Sequence, residues 1–413
     1  MVDLGAFLRP GTGVWWGQGS AEPEPLVNQL LDVVDQVGPI RAFCGLTWNE
    51  RLSGDLPDLL TVLSYGGLGQ LRRLSRHGRL EVIPCHYSAL PRMFANGQLP
   101  ADVGLLQVSP PDDQGMVTLG IGVEYVADAV PHTPTLIAEI NHRMPATRGG
   151  PRLPLSAFAA VLETDRPLVE APIRHPDHVE LNIAEHVASL IDDGDTLQIG
   201  VGSLPNAVLD SLAGHKDIGF HSGIITDGVL TLIEKDVITG ARKEIDRGVV
   251  VTGAALGTAG AYQRLGDFPV EFRAASYTHA PEVLSQLRSL VSVNSALEVD
   301  LLGQVGAEVA RGVHIGAVGG QVDFSRAASL TGARSIIALR STIGSGENAE
   351  STIVPTLHAG VVTTARVDVD AVVTEHGIAM LSGCTVAERA SRLIEVAAPE
   401  HREGLLRSLS EES

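Results

Sequence analysis

The chain has few cysteines and no long apolar stretch, and each shortage excludes a class of protein. Three cysteines, Cys44, Cys85 and Cys384, lie far apart in 413 residues. An odd, sparse set without paired spacing argues against a disulfide framework and against a zinc site, so we predict no bound metal. Apolar runs such as residues 249–256 are much shorter than the ~20 residues that span a bilayer. We therefore predict a cytoplasmic protein that does not enter a membrane.

Positive charge and aromatic side chains are also scarce. The sequence has 30 Lys and Arg against 49 Asp and Glu, which gives a net charge of −19. Such a surface repels nucleic acid and anionic membranes. Aromatic residues make up 4% of the chain, too few for platforms on which bases stack. We predict no nucleic-acid partner, and we expect an anionic ligand to be held by local dipoles and a few basic groups.

Short apolar runs alternate with helical patterns along the chain, which is typical of parallel sheets covered by helices. A helical pattern over residues 25–37 leads into a strand-like run at 40–44. Residues 144–176 then carry six prolines and little periodicity, which predicts a linker. The alternation restarts with a helical pattern at 178–191. The length also favours two domains, so we predict an α/β fold with domains at 1–175 and 176–413.

Two glycine-rich segments are candidate binding loops. Residues 200–203, GVGS, join a predicted strand to a predicted helix, so backbone amides there can approach an anionic ligand. The segment is neither a dinucleotide fingerprint nor a phosphate loop, and a plain tight turn explains it equally well. Residues 316–324, GAVGGQVDF, form the second segment. Between the two lies VSVNSALEVDLLGQVG, which contains Asn294 and Glu298, and Glu298 also fits a solvated or salt-bridged strand residue.

Several long segments, spread over nearly the whole chain, carry a resemblance to known proteins. They are DVGLLQVSPPDDQGMVTLG (102–120), IAEINHRMPATRG (137–149), IGVGSLPNAV (199–208), VNSALEVDLLGQVG (293–306), VGGQVDFSRAA (318–328), ALRSTIGSGENAESTIVPTL (338–357), VVTTARVDVDAVVTEHGIAML (361–381) and ERASRLIEVAAPEHREGL (388–405). In this order they resemble the acetyl-CoA hydrolase/transferase family, which includes 4-hydroxybutyrate and butyryl-CoA:acetate CoA-transferases.

This resemblance implies two similar open α/β domains of the class I CoA-transferase type, with the active site between them. It implies coenzyme A as a thioester substrate, a small carboxylate as partner, and a homodimer. The residues it assigns to coenzyme A or thioester contacts are Gly200, Val201, Gly202, Ser203, Leu204, Asn294, Gly319, Gly320 and Gln321.

The family's nucleophile is missing from this chain. The family uses a glutamate, in a segment reading roughly H-[ST]-E-x-x-[ST]-D-G, that attacks the thioester and becomes a glutamyl-CoA intermediate. The matching stretch here is GFHSGIITDGV, in which Gly223 stands at the glutamate's place beside His221. Because a positioned nucleophile is worth several kcal/mol, we expect transfer by the family route to be nearly abolished. We expect the glycine to leave room for a bulkier acyl group or a water.

A second departure concerns charge. Relatives usually carry a Lys shortly after a Ser-Thr pair and an Arg before Ile-Val-Pro, where this chain has Gly344 and Thr352. The coenzyme's phosphates would therefore lose charged partners, and Arg340 is the candidate that compensates.

Three functions remain open at this stage. In the first, the chain is an acyl-CoA enzyme in which water or a substrate carbanion replaces the glutamyl nucleophile. In the second, it is a CoA-transferase or hydrolase in which another carboxylate substitutes for the glutamate. In the third, it is an inactive paralogue that binds CoA esters or pairs with an active subunit. The candidate general bases are His221, Glu298, Glu375, His376 and Glu124, of which Glu298 and Glu124 are also the substitute carboxylates. A histidine is suited to proton transfer near neutral pH, although His221 also fits a hydrogen-bonded structural ring.

Overall fold

The computed structural model describes residues 2–172, 174–344 and 346–411. Within this part, strands β1 to β9 belong to the first half of the chain. They are β1 (Gly13–Trp16), β2 (Ile40–Phe43), β3 (Leu60–Ser64), β4 (Leu80–Val82), β5 (Val103–Val108), β6 (Met116–Thr118), β7 (Thr135–Asn141), β8 (Arg152–Pro154) and β9 (Ala160–Thr164). Seven of them form one parallel sheet in the order β4-β3-β2-β1-β5-β7-β9.

The second half contains another large sheet and several strand pairs. Its strands are β10 (Thr196–Ile199), β11 (Gly219–Phe220), β12 (Ile224–Ile225), β13 (Val250–Thr252), β14 (Ala254–Ala255), β15 (Val270–Phe272), β16 (Leu290–Ser295), β17 (Glu298–Asp300), β18 (Val305–Gly306), β19 (Val309–Ala310), β20 (Val313–His314), β21 (Arg334–Ala338), β22 (Thr342–Ile343), β23 (Glu350–Ser351), β24 (Ile353–Val354), β25 (Ala371–Thr374) and β26 (Gly377–Met380). The large sheet has the order β11-β10-β16-β21-β25-β26, and its edge strand β26 runs antiparallel to β25.

Helices connect and cover the strands of both sheets. They are α1 (Glu24–Val37), α2 (Leu71–Arg76), α3 (Leu90–Ala95), α4 (Glu124–Ala129), α5 (His178–Ala188), α6 (Ser203–Ser211), α7 (Asp227–Glu234), α8 (Ala259–Arg264), α9 (Ala275–Thr278), α10 (Pro281–Leu284), α11 (Gln321–Thr331), α12 (Val386–Val396) and α13 (Pro399–Glu411). Among the described residues, no helix combines the length and the apolar character that crossing a bilayer requires.

Burial on both faces explains why the strands read as continuous apolar runs. All four residues of β1 are buried, and Trp15 and Trp16 point to opposite faces because side chains alternate along a strand. Trp15 packs into a core that includes Phe94 and continues into the second half, whereas Trp16 packs with Leu26 of α1. The predicted α/β fold with two similar open sheets is confirmed.

The predicted linker at 144–176 is wrong for part of its length. Strand β9 pairs in parallel with β7 and completes the edge of the first sheet, and β8 pairs with β6. The prolines at both ends of this segment favoured a linker, although residues 160–162 of β9 are apolar. In the structure β9 alternates half-buried and exposed residues, as an edge strand does. The predicted domain boundary at 175 falls between β9 and α5, and it stays a prediction.

Loops at the carboxyl ends of the first sheet meet the second half at a place that we call the junction. The N–H of Gly67, after β3, donates to the carbonyl of Gly316 (3.0 Å), and the N–H of Tyr87, after β4, donates to that of Gly319 (2.9 Å). The hydroxyl of Ser88 donates to Asp323 of α11 (2.6 Å). The glycine segment 316–320 therefore joins the two halves. Ligands of open α/β sheets bind at such strand ends.

Candidate active site

Gly223 lies at the junction, and a histidine ring borders the place that a side chain there would take. A Cβ atom added to Gly223 would lie 2.9 Å from Cε1 of His279, closer than real Cβ atoms approach other atoms, and 3.1 Å from Nε2, a tight contact. A Cβ added to Gly320 would overlap the same ring. The imidazole therefore borders the place of a side chain at 223, and the expectation that the glycine leaves room for a bulkier acyl group or a water stays a prediction.

Aromatic neighbours fix the ring of His279. Its centroid lies 4.7 Å from that of Tyr87 and 5.0 Å from that of Phe324, and the residue is 4% exposed. Nδ1 is 2.8 Å from the hydroxyl of Thr278. Burial, and to a smaller degree the nearby His221, lowers the pKa of His279 to about 3, so the imidazole is neutral at physiological pH.

His221 lies as a buried, hydrogen-bonded ring, which is one of the two roles that the sequence leaves open for it. Its side chain is completely buried, and its Nε2 lies 3.1 Å from the carbonyl oxygen of Thr278. Burial and the charge of Lys243 lower the pKa of His221 to about 4. Because Nε2 is engaged by backbone, His221 positions the segment that carries His279 and has no exposed surface through which to reach a substrate.

Glu124, one of the predicted substitute carboxylates, lies near the junction in a buried polar network. Its carboxylate accepts hydrogen bonds from the hydroxyl of Tyr87 and the amide of Gln18 through Oε2, whereas Oε1 has no partner among the described residues. Its backbone N–H donates to Gly253, which is itself bonded to the carbonyl of Gly223. Burial raises the pKa of Glu124 to about 7, so this carboxyl changes charge near neutral pH.

A pocket of about 640 Å³ opens at the carboxyl edge of the second sheet, and we call it the edge pocket. Its walls are the segments after β16 and β21, the β19–β20 hairpin and residues 350–352 and 358–359. The ionisable residues in this lining are Glu298, Arg311, Arg340, Glu350 and His358. The volume is in the range of ligand pockets.

The charges in the edge pocket are largely paired within the protein. Arg340 bonds Asp177 (2.8 Å) and Arg311 bonds Glu350 (3.0 Å). Glu298, predicted as a catalytic carboxylate, accepts from the N–H of His358 (2.8 Å) and lies 2.6 Å from its Nδ1. The described lining of the pocket contains Glu298 but neither Gly223 nor His221. Glu298 is therefore a wall residue of the pocket whose carboxylate is hydrogen-bonded to His358.

The predicted glycine turn at 200–204 follows β10 and is accessible to a ligand. Gly200 has free space around it, and Val201 is 45% exposed. Gly202, at φ 129°, immediately precedes α6, and the hydroxyl of Ser203 donates to Glu180 of α5 (2.8 Å). Leu204 is buried and anchors the start of α6. These residues stay predicted coenzyme A contacts.

The remaining residues that were predicted to contact coenzyme A or the thioester are hydrogen-bonded to nearby residues or lie at the start of α11. The amide of Asn294 donates to Ser292 (2.8 Å) and to Gln198 (3.1 Å), in a network between adjacent strands. Gly319, at φ 51°, leads into Gly320 and α11, and Gln321 donates to Thr364 (3.0 Å). The first N–H groups of α11 have no helical acceptor, so they are available to an anion.

Sequence reasoning missed His279, Tyr87 and Gln18. His279 and Tyr87 lie outside any glycine cluster, whereas Gln18 lies between two glycines. The three side chains meet only because the fold brings together loops that are far apart in sequence. Glu375 and His376 lie elsewhere, at the end of β25, where Glu375 accepts from the hydroxyl of Ser341 (2.6 Å). Among residues 2–172, 174–344 and 346–411, no three His, Cys, Asp or Glu side chains are grouped so that they could hold a metal ion. The prediction that the enzyme uses no metal stays a prediction.

Comparison with known proteins shows what the chain is similar to. Family models of the acetyl-CoA hydrolase/transferase N-terminal and C-terminal domains match residues 60–170 and 257–409. The 4-hydroxybutyrate coenzyme A transferase of Clostridium kluyveri is 40% identical over 341 residues, which cover 82% of this chain and 79% of that protein. The succinyl-CoA:acetate/propanoyl-CoA:succinate CoA transferase of Fasciola hepatica is 33% identical, over 97% of this chain and 84% of that protein.

Solved structures agree with this assignment. RipA from Yersinia pestis superposes with a TM-score of 0.92 at 31% identity, covering 99% of this chain and 96% of that one. A 4-hydroxybutyrate CoA-transferase from Porphyromonas gingivalis gives a TM-score of 0.81 at 33% identity, with the same coverage of 99% and 96%. The chain belongs to the acetyl-CoA hydrolase/transferase family.

Proposed function

We propose that this chain hydrolyses an acyl-coenzyme A thioester without forming a glutamyl intermediate. The observation that carries the proposal is the missing side chain at Gly223, beside which the imidazole of His279 lies. A covalent route would need a carboxylate there, and the other candidate carboxylates are buried or paired. Water is small enough to reach the thioester at the junction, which is crowded for a second carboxylate substrate. Hydrolysis is therefore favoured over CoA transfer to a small carboxylate.

The position of the substrate follows from the shape of the site. We place the coenzyme in the edge pocket and along the open turn at Gly200, Val201 and Gly202, with the thioester near Gly319, Gly320 and Gln321. Support comes from the segment that ends at Gly320, because Ile315 lines the pocket and Gly320 borders His279. A pantetheine chain lying along residues 315–320 would join the two places. We also infer a homodimer that acts in the cytoplasm, as the family resemblance and the three unpaired cysteines suggest.

Turnover of a panel of acyl-CoA esters tests the proposal. Thiol release is followed with and without acetate, succinate or butyrate, and new acyl-CoA esters are separated by chromatography. We expect thiol release that needs no acceptor, and no enzyme-bound thioester that borohydride or hydroxylamine can trap. An acceptor-dependent reaction with a trapped thioester would instead establish transfer through another carboxylate. Calorimetric binding of CoA esters without turnover would establish the binding paralogue, and no binding at all would refute any acyl-CoA role.

A further inference from the structure

We propose that His279 is the catalytic base of this site, and that its Nε2 activates the water that attacks the thioester. The inference rests on the proposed hydrolysis of acyl-CoA. Its structural basis is the position of the ring: the imidazole lies between Gly223 and Gly320, at the place where the resemblance puts the family nucleophile.

The two glycines leave one edge of the imidazole uncovered. An added Cβ at Gly223 would meet Cε1 and Nε2, and one at Gly320 would meet Nε2 and Cδ2. Both glycines are half-buried, so they border the accessible side of the junction. Any larger residue at either position would cover Nε2 or displace the ring. The backbone therefore presents Nε2 to the junction.

The hydrogen bonds around Nδ1 allow a tautomer in which Nε2 is free. In this tautomer the hydroxyl of Thr278 donates its one hydrogen to the carbonyl of Ala274 (3.3 Å) and accepts from Nδ1–H of His279 (2.8 Å). Nε2 then carries the lone pair, and it has no hydrogen-bond partner among the described residues. A neutral imidazole with a free lone pair and a fixed Nδ1–H is the form that a general base needs.

Oxyanion stabilisation is available beside the ring. Gly320 directly precedes α11, an eleven-residue helix whose first N–H groups lack helical acceptors and whose dipole favours negative charge. A thioester carbonyl lying over this end of α11 would have backbone donors on its oxygen and Nε2 beside its carbon. Donors that are fixed before the reaction lower the energy of the tetrahedral intermediate.

The step balances without a further reactant. Nε2 of His279 accepts a proton from water while the water oxygen forms a bond to the thioester carbon, and the carbonyl oxygen becomes an oxyanion. The carbonyl then re-forms as the carbon–sulfur bond breaks. The coenzyme A thiolate takes the proton back from the imidazolium, so the products are a carboxylic acid and free coenzyme A.

The imidazolium formed in this step needs stabilisation, because burial disfavours the charged ring. Tyr87 provides it: its ring lies 4.7 Å from the imidazole, and its hydroxyl donates to Glu124. The pKa of Glu124, raised by burial to about 7, makes this carboxyl negative only above neutral pH. Burial keeps the surrounding Tyr65, Tyr87 and Tyr125 protonated, since it raises their pKa values well above 10, and His221 stays neutral. We therefore expect kcat to rise with pH through about 7.

The test compares substitutions of two histidines in the full-length protein. We expect His279→Asn to lower kcat for thioester hydrolysis by about 10²- to 10⁴-fold, the usual contribution of a general base, with an unchanged calorimetric Kd for coenzyme A. His215→Asn is the control, because this half-buried histidine bonds the carbonyl of Ile191 far from the junction, and it should leave kcat unchanged. Glu124→Gln should lower kcat above pH 7 and remove the rise of kcat with pH.

Each outcome decides between the claims. If the wild-type protein cleaves CoA esters and His279→Asn keeps its kcat, the inference about His279 is overturned while the proposed function stands. If the wild-type protein neither binds nor cleaves CoA esters, the proposed function fails and this inference fails with it. Should His279→Asn unfold, His279→Gln provides a second variant of similar size, and added imidazole should restore part of the activity of His279→Ala only if the ring acts chemically.

Discussion

At the scale of single residues, the presence of Gly223 at the place of the family's glutamate is coupled to the ring of His279 beside it. Gly223 and His279 compete for one volume, so we predict that their substitutions are not additive. Gly223→Glu alone should destabilise the protein, because its Cβ would lie 2.9 Å from Cε1 of His279. Gly223→Glu combined with His279→Ala should recover stability, with a coupling free energy of about 1–3 kcal/mol.

Thermal and urea unfolding of the wild type, the two single variants and the double variant provide the four free energies that this cycle requires. Additive effects would show that the ring and the side chain at 223 occupy different places. Gly266→Glu is a matched control, since an added Cβ at Gly266 meets no atom within 4 Å.

Glu22 is a second buried carboxyl, and it should make stability depend on pH. It is 3% exposed, and its Oε2 accepts from the hydroxyl of Thr47 (2.6 Å). Burial raises its pKa from 4.5 to about 8. The folded state holds the proton of Glu22 more tightly than the unfolded state does. The contribution of Glu22 to the free energy of unfolding is therefore complete below pH 4.5 and is lost as pH rises through 8. This difference corresponds to roughly 4–5 kcal/mol.

We predict that Glu22→Gln, which keeps the shape and stays neutral, stabilises the protein relative to wild type more at pH 8.5 than at pH 5. Urea unfolding at several pH values measures the difference. Glu50→Gln, at an exposed position of the first half, should give a nearly constant difference over the same range. A pH-independent effect of Glu22→Gln would contradict a buried neutral carboxyl.

At the scale of helices and strands, two capping boxes differ in what they touch. Thr385 and Glu388 cap α12, and Asp177 and Glu180 cap α5. Asp177 also pairs with Arg340 of the edge pocket (2.8 Å). Asn caps a helix as well as Asp does but carries no charge. Asp177→Asn would therefore keep α5 intact while it frees Arg340.

We predict that Asp177→Asn lowers KM for acyl-CoA by about 2- to 5-fold, because an exposed ion pair is worth at most about 1 kcal/mol and a freed guanidinium can contact a phosphate. Thr385→Ala should instead lower the free energy of unfolding by about 1 kcal/mol and leave KM unchanged. Initial rates and urea unfolding measure both. An unchanged KM for Asp177→Asn would mean that the coenzyme's phosphates do not reach Arg340.

Strands and helices were largely predictable from the sequence, because buried parallel strands read as short apolar runs between helical patterns. Helix α1 and strand β2 each lie within one residue of their predicted bounds, 25–37 and 40–44. The edge strand β9 was missed because only one of its faces is half-buried. The site was partly predictable: local glycine patterns pointed to the junction, whereas His279 depends on contacts between distant loops that no local pattern encodes. The burial of His221 likewise depends on the residues that pack around it, and no local pattern encodes it.

At the scale of the whole molecule, the net charge of −19 opposes the approach of coenzyme A, itself a polyanion. Both arginines of the edge pocket are paired with carboxylates, so little local attraction offsets this repulsion. Salt screens repulsion between charges: the Debye length falls from about 30 Å at 0.01 M to about 8 Å at 0.15 M. We therefore predict that kcat/KM for an acyl-CoA ester rises as ionic strength increases over this range.

Initial rates at constant pH measure this dependence, and a truncated substrate isolates its cause. An acyl thioester of N-acetylcysteamine has the same reacting group but no phosphates, so its kcat/KM should not change with salt. A fall of kcat/KM with salt for the CoA ester would show that basic groups of the site attract the coenzyme despite the acidic surface. A rise shared by both substrates would point to an effect of salt on the protein. Only a rise confined to the CoA ester agrees with electrostatic repulsion between the whole molecule and its substrate.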